Sequence, residues 1–387
     1  MMASILVSLL YYFVFIHVNY ASLAAGQLVF PVPSGQYAVA HSTLKLTDDS
    51  RVDPYDPNHG KRNVMISLFY PIPRYACEQT CPIPYMPTIT ATYVDAFAAQ
   101  YGVPNGTFGS IRMQVCCKPS RRVVKDVGKF PLVLFSPGLG GSRLLYNVLA
   151  ESLASAGYAV ATMDHTFEAL VVEYPDGSFT PGLNASYWDP SIPGRLESLL
   201  GVRVEDGRFV LSQLGRKDVV RKLAPGSACG FNTSRVAFYG HSFGGATAIS
   251  ALMNDTRFTG AINMDGTQYG NQTDVKKPAL LFGRAKPSPH NRTNDASWEG
   301  VWRHLKGWRR ELGLEDSEHL TFGDVPLLLK LIRLPIPVKP IIGSLDGERS
   351  FEIITTYIEA FMDYVLKGKK SELFDGPSEK FPEIVVG

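Results

Sequence analysis

The stretch VAFYGHSFGGATA, residues 236–248, decides the fold. An apolar run that is typical of a strand gives way to GHSFG, and small residues typical of a helix follow. GHSFG fits G-x-S-x-G, in which a sharp turn from strand to helix strains the serine and brings the residues two positions to either side into collision. Glycine at Gly240 and Gly244 removes that collision. The context predicts that Ser242 is a nucleophile held on an elbow, and it disfavours the alternative of a flexible glycine-rich loop.

Strand and helix patterns alternate along the chain on both sides of this elbow. The predicted strands are residues 63–71, 130–138, 158–165, 235–240, 260–266 and 278–284. The predicted helices are residues 144–157, 203–215, 244–254, 298–312 and 350–368. Such alternation indicates an α/β fold with a mostly parallel central sheet flanked by helices. Catalytic groups then gather at the carboxyl ends of the strands.

Length and composition favour one large domain. The chain has 387 residues, 45% of them hydrophobic, and no internal repeat or long low-complexity tract divides it. We expect residues 26–387 to form a single domain, in which the loosely patterned segment 286–350 is an insertion or cap region near the active site. A formal net charge of +2 gives no strong field for binding nucleic acid or an anionic membrane, so electrostatics names no partner, and nucleic acid is not expected as one.

The N-terminal residues predict export. Residues 5–16 are apolar and residues 22–26 are small, an order typical of a secretory signal peptide, which we expect to span residues 1–25. His17 and Asn19 interrupt the run before it reaches the roughly twenty apolar residues of a membrane-spanning helix. Six N-x-[ST] sequons support a secreted, extracellular glycoprotein. They lie at Asn105, Asn184, Asn232, Asn254, Asn271 and Asn291.

Five cysteines fit an oxidising compartment. Cys77 and Cys81 are expected to pair with each other or with Cys116 and Cys117, and the odd count, completed by Cys229, leaves one thiol over. The sequence leaves the connectivity open. A metal site at Cys77 and Cys81 is disfavoured because no second Cys-x-x-Cys or histidine pair lies nearby, and no cofactor is expected.

A site for acyl transfer needs two backbone N–H donors for the oxyanion. The N–H of Phe243, at the start of the predicted helix, is one candidate. The loop FSPGLGGSR, residues 135–143, follows a predicted strand and offers Leu139, which stands between glycines, as the other. Pro137 has no N–H and is excluded as a donor. A plain turn between strand and helix is the alternative explanation of this loop.

A serine nucleophile needs a histidine that takes its proton and a carboxylate that orients this histidine. In the order Ser, acid, His, only His290, His304 and His319 stand late enough in the chain. His304 falls on the predicted helix 298–312, and His290 lies in a proline-rich loop beside a sequon, which suggests exposure. We expect His319, in the loop sequence GLEDSEHLTFGD, to be the base, with His290 as the next candidate.

The acid is expected at the end of the strand that follows the nucleophile. Asp265 ends this strand and would lie at the same sheet edge as the serine. Asp295 is the alternative by position, and a turn-capping role before a glycine is the non-catalytic explanation of Asp265. The pair Asp164 and His165 closes an earlier strand and precedes the nucleophile, so we expect it to line or support the site.

Five stretches, in their order along the chain, resemble the plasma-type platelet-activating-factor acetylhydrolase family of α/β-hydrolases. They are LVLFSPGLGGSRLLYNVLAESLASAGYAVATMDH, RVEDGRFVLSQL, VAFYGHSFGGATA, AINMDG and EHLTFGD. The resemblance extends from about Val64 to about Gly368 and implies the α/β-hydrolase fold. It also implies a calcium-independent, phospholipase A2-like serine esterase with Ser242, Asp265 and His319 as its triad and the same two oxyanion donors.

The resemblance further implies hydrolysis of short acyl esters, such as the sn-2 acetyl group of a 1-alkyl-2-acetylglycerophosphocholine. Pro137 and the segment 286–350 depart from the family pattern and leave open which small-molecule or lipid ester is the substrate. An acyltransferase, a long-chain lipase or an amidase on the same triad remain alternatives. The apolar segment 325–334 is either a helix in peripheral contact with lipid surfaces or, as we favour, a packed one. A secreted binding protein that keeps the fold without activity is the alternative from another class, and the oligomeric state is left open.

Overall fold

A computed structural model describes residues 28–333 and 339–387, and the predicted signal peptide, residues 1–25, lies outside them. Strands β1 to β14 are Leu28–Val29, Tyr37–Val52, Lys61–Pro73, Cys77–Pro84, Ile111–Pro119, Leu132–Ser136, Ala159–His165, Val171–Glu173, Phe179–Pro181, Val236–His241, Phe258–Met264, Ala279–Arg284, Arg309–Leu314 and Ile384–Val386. The central sheet has the order β14-β13-β12-β11-β10-β6-β7-β3-β2. The pairs from β13 to β7 are parallel, whereas β14 at one edge and β3 and β2 at the other pair antiparallel. The predicted mostly parallel sheet is confirmed.

Helices cover both faces of this sheet. Helices α1 to α11 are Thr88–Ala98, Thr107–Ser110, Arg121–Val124, Asn147–Ser155, Arg195–Leu214, Lys217–Leu223, Phe243–Asn254, Ala296–Trp302, Val325–Ile332, Lys339–Ile342 and Gly347–Met362. Apolar side chains of α5, α6 and α7 form the core on one face, and those of α4 and α11 form the core on the other. The inner strands β6, β7, β10 and β12 are buried at every residue, as a sheet covered on both faces requires. None of the helices in the described ranges has the length and apolar character needed to cross a membrane.

The helix predicted over 298–312 is wrong in its second half. Helix α8 ends at Trp302, and residues 309–314 form β13, which pairs in parallel with β12. The chain turns between them at Gly307, where a Cβ would collide with the carbonyl oxygen of Lys276. The described part of the segment 286–350, expected as an insertion or cap region, therefore supplies a strand of the central sheet as well as short helices and loops.

Three further elements differ from the sequence-based expectation. The strand β2 pairs with β3 over most of its length but was not among the predicted strands. Helix α5 begins at Arg195 rather than at residue 203, and the predicted helix 350–368 ends as α11 at Met362, where a π-helical turn over Asp363–Lys367 follows. These differences add an edge strand and move the bounds of two helices, and they leave the mostly parallel order of the inner strands unchanged.

Strands β1, β5 and β4 form a second sheet that carries both disulfides. Cys77 pairs with Cys116 and Cys81 pairs with Cys117, so both bonds join β4 to β5. Antiparallel pairing of these two strands brings each cysteine of β4 beside the Cys116 and Cys117 pair, which settles the connectivity that the sequence left open. Cys229 is the remaining thiol, and it is exposed.

Candidate active site

Ser242 lies at the sharp turn between β10 and α7. Its backbone has φ 56° and ψ −126°, a positive-φ conformation that residues other than glycine rarely adopt. A Cβ at Gly240 would collide with the carbonyl oxygen of Gly244, and a Cβ at Gly244 would collide with the carbonyl oxygens of Ser136 and Pro137. The backbone therefore leaves no room for a side chain at either glycine of the predicted elbow.

Replacing Ser242 by glycine is expected to stabilise the fold relative to the alanine variant. Glycine adopts φ 56° readily, whereas this conformation costs other residues on the order of 1–3 kcal/mol. Glycine also loses roughly 0.5–1 kcal/mol more backbone entropy on folding. We therefore expect urea unfolding to give Ser242→Gly a free energy of unfolding about 1 kcal/mol above that of Ser242→Ala. An alanine variant of equal or greater stability would show that this backbone is unstrained.

Three side chains that are distant in sequence meet at this edge of the sheet. His319 Nε2 lies 2.9 Å from Ser242 Oγ, and His319 Nδ1 lies 2.6 Å from Asp265 Oδ2. Asp265 directly follows β11, and His319 opens a 3₁₀ turn after β13, so each stands beyond the carboxyl end of its strand. The buried carboxylate accepts a hydrogen bond from Nδ1–H, which turns the Nε2 lone pair toward the serine hydroxyl. Such an arrangement can remove the hydroxyl proton as the oxygen attacks a carbonyl.

The buried ring of His241 fixes the backbone of His319, a role that sequence analysis does not find. The Tyr146 hydroxyl donates to His241 Nδ1 over 2.7 Å, and His241 Nε2–H donates to the His319 carbonyl over 2.8 Å. Burial, with a smaller contribution from His319, lowers the pKa of His241 to about 3. The ring thus stays neutral, with the one N–H and one lone pair that these bonds use. Asp324 lies five residues after His319 and tethers the loop that both share. Its carboxylate accepts a hydrogen bond of 2.8 Å from the Val148 N–H, near the start of α4.

The loop after β6 lies directly over the serine. A Cβ at Gly138 would be 3.3 Å from Ser242 Cβ and 3.7 Å from Ser242 Oγ, so the loop backbone approaches Ser242 closely. Leu139 is the next residue of this loop. Phe243 is the first residue of α7, where backbone N–H groups have no acceptor within the helix. Leu139 therefore directly follows Gly138, which approaches Ser242, and Phe243 directly follows Ser242 itself. Both predicted oxyanion donors thus lie one residue along the chain from the surroundings of the serine.

Arg203 holds the loop in this position, and sequence analysis misses it. Its buried guanidinium donates to the carbonyl oxygens of Pro137, at 2.6 Å, and Gly138, at 3.0 Å. The same group pairs with Glu168 and lies 4.9 Å from the centre of the Phe243 ring. Arg203 lies in the amphipathic helix α5, and the neighbouring sequence does not indicate that its partners in this loop are more than sixty residues away in the chain. The guanidinium thereby links the two segments that carry the candidate oxyanion donors.

Asp164 and His165 support the loop and do not contact Ser242. Asp164 pairs with Arg143 and accepts the Arg143 backbone N–H over 2.6 Å. His165 Nε2 lies 2.9 Å from Ser136 Oγ, and its Nδ1 lies 2.8 Å from Asp206 Oδ2. All of these side chains are buried. The pair that ends β7 thus braces the neighbouring β6 loop, as predicted for a supporting role.

His290 is buried, and the exposure expected from its proline-rich loop is wrong. Its Nδ1 lies 2.8 Å from Asp265 Oδ1, and its Nε2 lies 2.8 Å from Asp295 Oδ2. Hydrogen bonds to these two carboxylates replace the hydrogen bonds that the buried ring would otherwise make to water. The alternative base and the alternative acid therefore both lie on the far side of Asp265 from the serine. His304, the third candidate base, pairs with an aspartate in another loop.

The Asp265 carboxylate is surrounded by donors. Arg284 Nε donates to it over 3.0 Å, in addition to His319 and His290. Burial alone would raise the pKa of Asp265, but hydrogen bonds from His290 and His319 outweigh burial and hold this pKa well below its ordinary value. The carboxylate therefore stays ionised at neutral pH, as a group that orients a histidine and stabilises its cation must. Within residues 28–333 and 339–387, no group of three or more His, Cys, Asp or Glu side chains is placed to hold a metal ion.

Most sequon asparagines lie on the surface. The exposed ones are Asn105, Asn184, Asn232, Asn254 and Asn271. Asn291 is half-buried, and its side-chain oxygen accepts a hydrogen bond of 2.6 Å from the Thr293 hydroxyl. This exposure is compatible with glycosylation, which stays a prediction.

The chain matches one protein family over most of its length. The family is described as platelet-activating factor acetylhydrolase, isoform II, and the match covers residues 23–175 and 229–374. All three side chains that meet at the elbow, Ser242, Asp265 and His319, fall within the matched residues.

Individual proteins resemble the chain as well. It is 34% identical to a probable 1-alkyl-2-acetylglycerophosphocholine esterase of Arthroderma benhamiae, over 94% of this chain and 95% of that protein. It is 28% identical to the platelet-activating factor acetylhydrolase of Cavia porcellus, over 68% of this chain and 65% of that protein. Among solved structures, a ferulic acid esterase from Streptomyces cinnamoneus shares 31% identity and a TM-score of 0.73, covering 93% of this chain and 99% of that one.

Proposed function

The chain belongs to the platelet-activating factor acetylhydrolase, isoform II, family and is an ester hydrolase, and we propose that Ser242, His319 and Asp265 carry its catalysis. The observation that carries this proposal is the pair of contacts made by His319, 2.9 Å to Ser242 Oγ and 2.6 Å to Asp265 Oδ2. A binding protein that keeps the fold without activity needs neither these contacts nor a serine in a strained backbone conformation.

Acylation begins with proton transfer from the serine. His319 Nε2 takes the proton of Ser242 Oγ while the oxygen attacks the ester carbonyl, and Asp265 stabilises the imidazolium. The backbone N–H groups of Leu139 and Phe243 bind the oxyanion of the tetrahedral intermediate. When this intermediate collapses, the bond to the alcohol oxygen breaks and that oxygen takes the proton from His319. The acyl group is left on Ser242.

Deacylation repeats these steps with water. His319 removes a proton from a water molecule whose oxygen attacks the acyl carbonyl, and the same N–H groups bind the second oxyanion. Collapse breaks the bond to Ser242 Oγ, which regains a proton from His319. The carboxylic acid leaves, and the triad returns to its starting protonation.

We propose short acyl esters as substrates, such as the sn-2 acetyl group of an ether phospholipid. The family description and the names of the two protein relatives support this class. Of the segment 325–334, considered as a lipid-facing helix, residues 325–332 form α9 and residue 334 lies outside the described residues. Leu328 and Ile332 of α9 are buried in a core shared with α1. This packing removes one reason for the long-chain lipase alternative.

A series of esters with graded acyl length tests the substrate class. We expect kcat/KM to fall by roughly tenfold or more between acetyl and octanoyl esters of one alcohol, measured below the concentration at which the longer esters form micelles. The highest value on a palmitoyl ester would favour the lipase alternative. Adding an alcohol acceptor separates the acyltransferase alternative, which predicts more transferred acyl product than free acid.

We also propose that residues 26–387 form one exported, glycosylated domain whose active-site rim contacts lipid surfaces. Leu139, Leu170 and Phe179 are 37%, 38% and 45% exposed. The Leu170 N–H donates to the Gly140 carbonyl over 3.0 Å, which places Leu170 beside the loop of Leu139. Phe179 lies in the hairpin of β8 and β9 that directly follows. Leu139 and Leu170 are therefore exposed apolar side chains close to Ser242 in the fold, and the hairpin adds Phe179; such side chains suit contact with lipid.

The double variant Leu170→Ser and Phe179→Ser is expected to separate lipid contact from chemistry. Hydrolysis of an acetyl phospholipid in vesicles should fall by roughly fivefold, since two apolar side chains no longer enter the lipid surface, while hydrolysis of a soluble monomeric ester stays unchanged. Val385→Ser is the matched control, because Val385 is 45% exposed on the edge strand β14. Equal losses on both substrates would contradict the proposed contact.

A further inference from the structure

His290 contacts the oxygen of Asp265 that His319 does not use. Its Nδ1 lies 2.8 Å from Asp265 Oδ1, its Nε2 lies 2.8 Å from Asp295 Oδ2, and the Trp298 ring packs against it at a centroid distance of 4.5 Å. An ionised carboxylate only accepts hydrogen bonds, so each of these contacts requires an N–H on His290. A histidine with an N–H on both nitrogens is an imidazolium.

This imidazolium belongs to a line of alternating charges. Arg284 Nε donates to Asp265 over 3.0 Å, and Arg284 Nη1 donates to Glu318 Oε2 over 3.0 Å. From one end to the other, the line runs Asp295, His290, Asp265, Arg284, Glu318. Glu318 directly precedes the candidate base, His319, in the chain, and Asp265 contacts that base through Oδ2.

We propose that His290 is a positioning residue of the triad: as an imidazolium it orients the Asp265 carboxylate toward His319 and, through its charge, opposes protonation of His319. The proposal rests on the proposed function of this triad. A carboxylate held at Oδ1 cannot rotate about its Cβ–Cγ bond, so Oδ2 stays at 2.6 Å from His319 Nδ1. A positive charge one carboxylate away from the base makes a second positive charge on the base less favourable.

The charged groups around His290 support its protonation at neutral pH. They are Asp265 after β11, Asp295 at the start of α8 and, through Asp265, Arg284 in β12. Burial alone would lower the pKa of His290, but hydrogen bonds to Asp265 and Asp295 outweigh burial and raise this pKa to about 9. The imidazolium persists across the range in which an ordinary histidine loses its proton.

The same ionisation links stability to pH. The pKa of His290 in the fold, about 9, lies above its ordinary value of 6.5. Its ion pairs therefore stabilise the fold fully below pH 6.5, and this stabilisation is lost as the pH rises through about 9. The difference in melting temperature between the wild type and a variant without the imidazole should accordingly be larger at pH 6 than at pH 10.

Two variants of His290 separate its contacts. In His290→Asn, the side-chain amide nitrogen takes roughly the place of Nδ1 and can still donate to Asp265. In His290→Gln, it takes roughly the place of Nε2 and can still donate to Asp295. We expect kcat for a soluble ester to stay within about threefold of wild type in the Asn variant and to fall by roughly tenfold or more in the Gln variant, with KM unchanged in both. Both variants lose the positive charge, so the acid limb of kcat/KM should move to higher pH by roughly half a unit.

The proposal is overturned if the two variants lose kcat equally while the acid limb stays where it is, since His290 would then only hold its loop in place. Wild-type kcat and an unchanged pH profile in both variants would overturn it as well. Labelling of the wild type by a fluorophosphonate at Ser242 is measured in parallel. Its absence would mean that the proposed function fails, whereas labelling with unaffected His290 variants would mean that only the present inference fails.

A measurement on the wild type tests the proposal even if the His290 variants do not fold. In protein with 15N-labelled histidine, we expect one histidine to retain protons on both ring nitrogens at pH 8, as read from its nitrogen chemical shifts. If every histidine carries a single ring proton at pH 8, the imidazolium is absent and the proposal is wrong.

Discussion

Replacing Ser242 by alanine is expected to lower kcat for ester hydrolysis by about 10⁴-fold or more. The variant keeps the fold, the oxyanion donors and the histidine, but it has no oxygen to form the acyl-enzyme, so only slow attack by water remains. Initial rates on an acetyl ester, with melting temperature as the check on folding, measure the effect. Activity within tenfold of wild type in the folded variant would rule out Ser242 as the nucleophile.

Replacing Asp265 by asparagine is expected to lower kcat by roughly 10³- to 10⁴-fold near neutral pH. An amide in place of the carboxylate can offer an N–H to His319, which favours the tautomer whose Nε2 carries the proton and cannot take one from Ser242. The variant should also be less stable, because two buried cations, His290 and Arg284, lose their shared partner.

Asp295→Asn is the matched control for this variant. Asp295 also pairs with His290, but it does not contact His319. We expect its kcat to stay within about tenfold of wild type, because the chemistry of the base is left intact. Equal losses in the Asp265 and Asp295 variants would mean that the effect comes from disturbing His290 and its loop, and not from orienting the base.

The parts of the site that follow local rules could be predicted from the sequence. G-x-S-x-G has a steric cause, and the structure shows it, because Gly240 and Gly244 both stand where a side chain would collide with backbone. Asp265 was expected at the end of a strand neighbouring that of Ser242, and parallel pairing of β10 with β11 places it there. Chain order and loop context favour His319, and it lies within hydrogen-bonding distance of both Ser242 and Asp265.

The parts that depend on distant partners could not be predicted. The burial of His290 follows from Asp265 and Asp295 closing around its ring, whereas its prolines and the adjacent sequon indicate an exposed loop. Arg203 looks like one charged residue of an amphipathic helix until the loop of Pro137 and Gly138 is placed beside it. The same holds for β13, since the short, charged run Arg309–Leu314 lacks the apolar pattern of a strand, and only its pairing with β12 makes it one.

Mapping the covalent adduct of a fluorophosphonate by peptide mass spectrometry tests the central claim most directly. We predict one adduct per chain, on the peptide that contains Ser242, with esterase activity lost in proportion to labelling and with no adduct in folded Ser242→Ala. Complete loss of activity with the adduct on another residue, or full activity in a chain labelled at Ser242, would contradict the assignment of Ser242 as the nucleophile of this ester hydrolase.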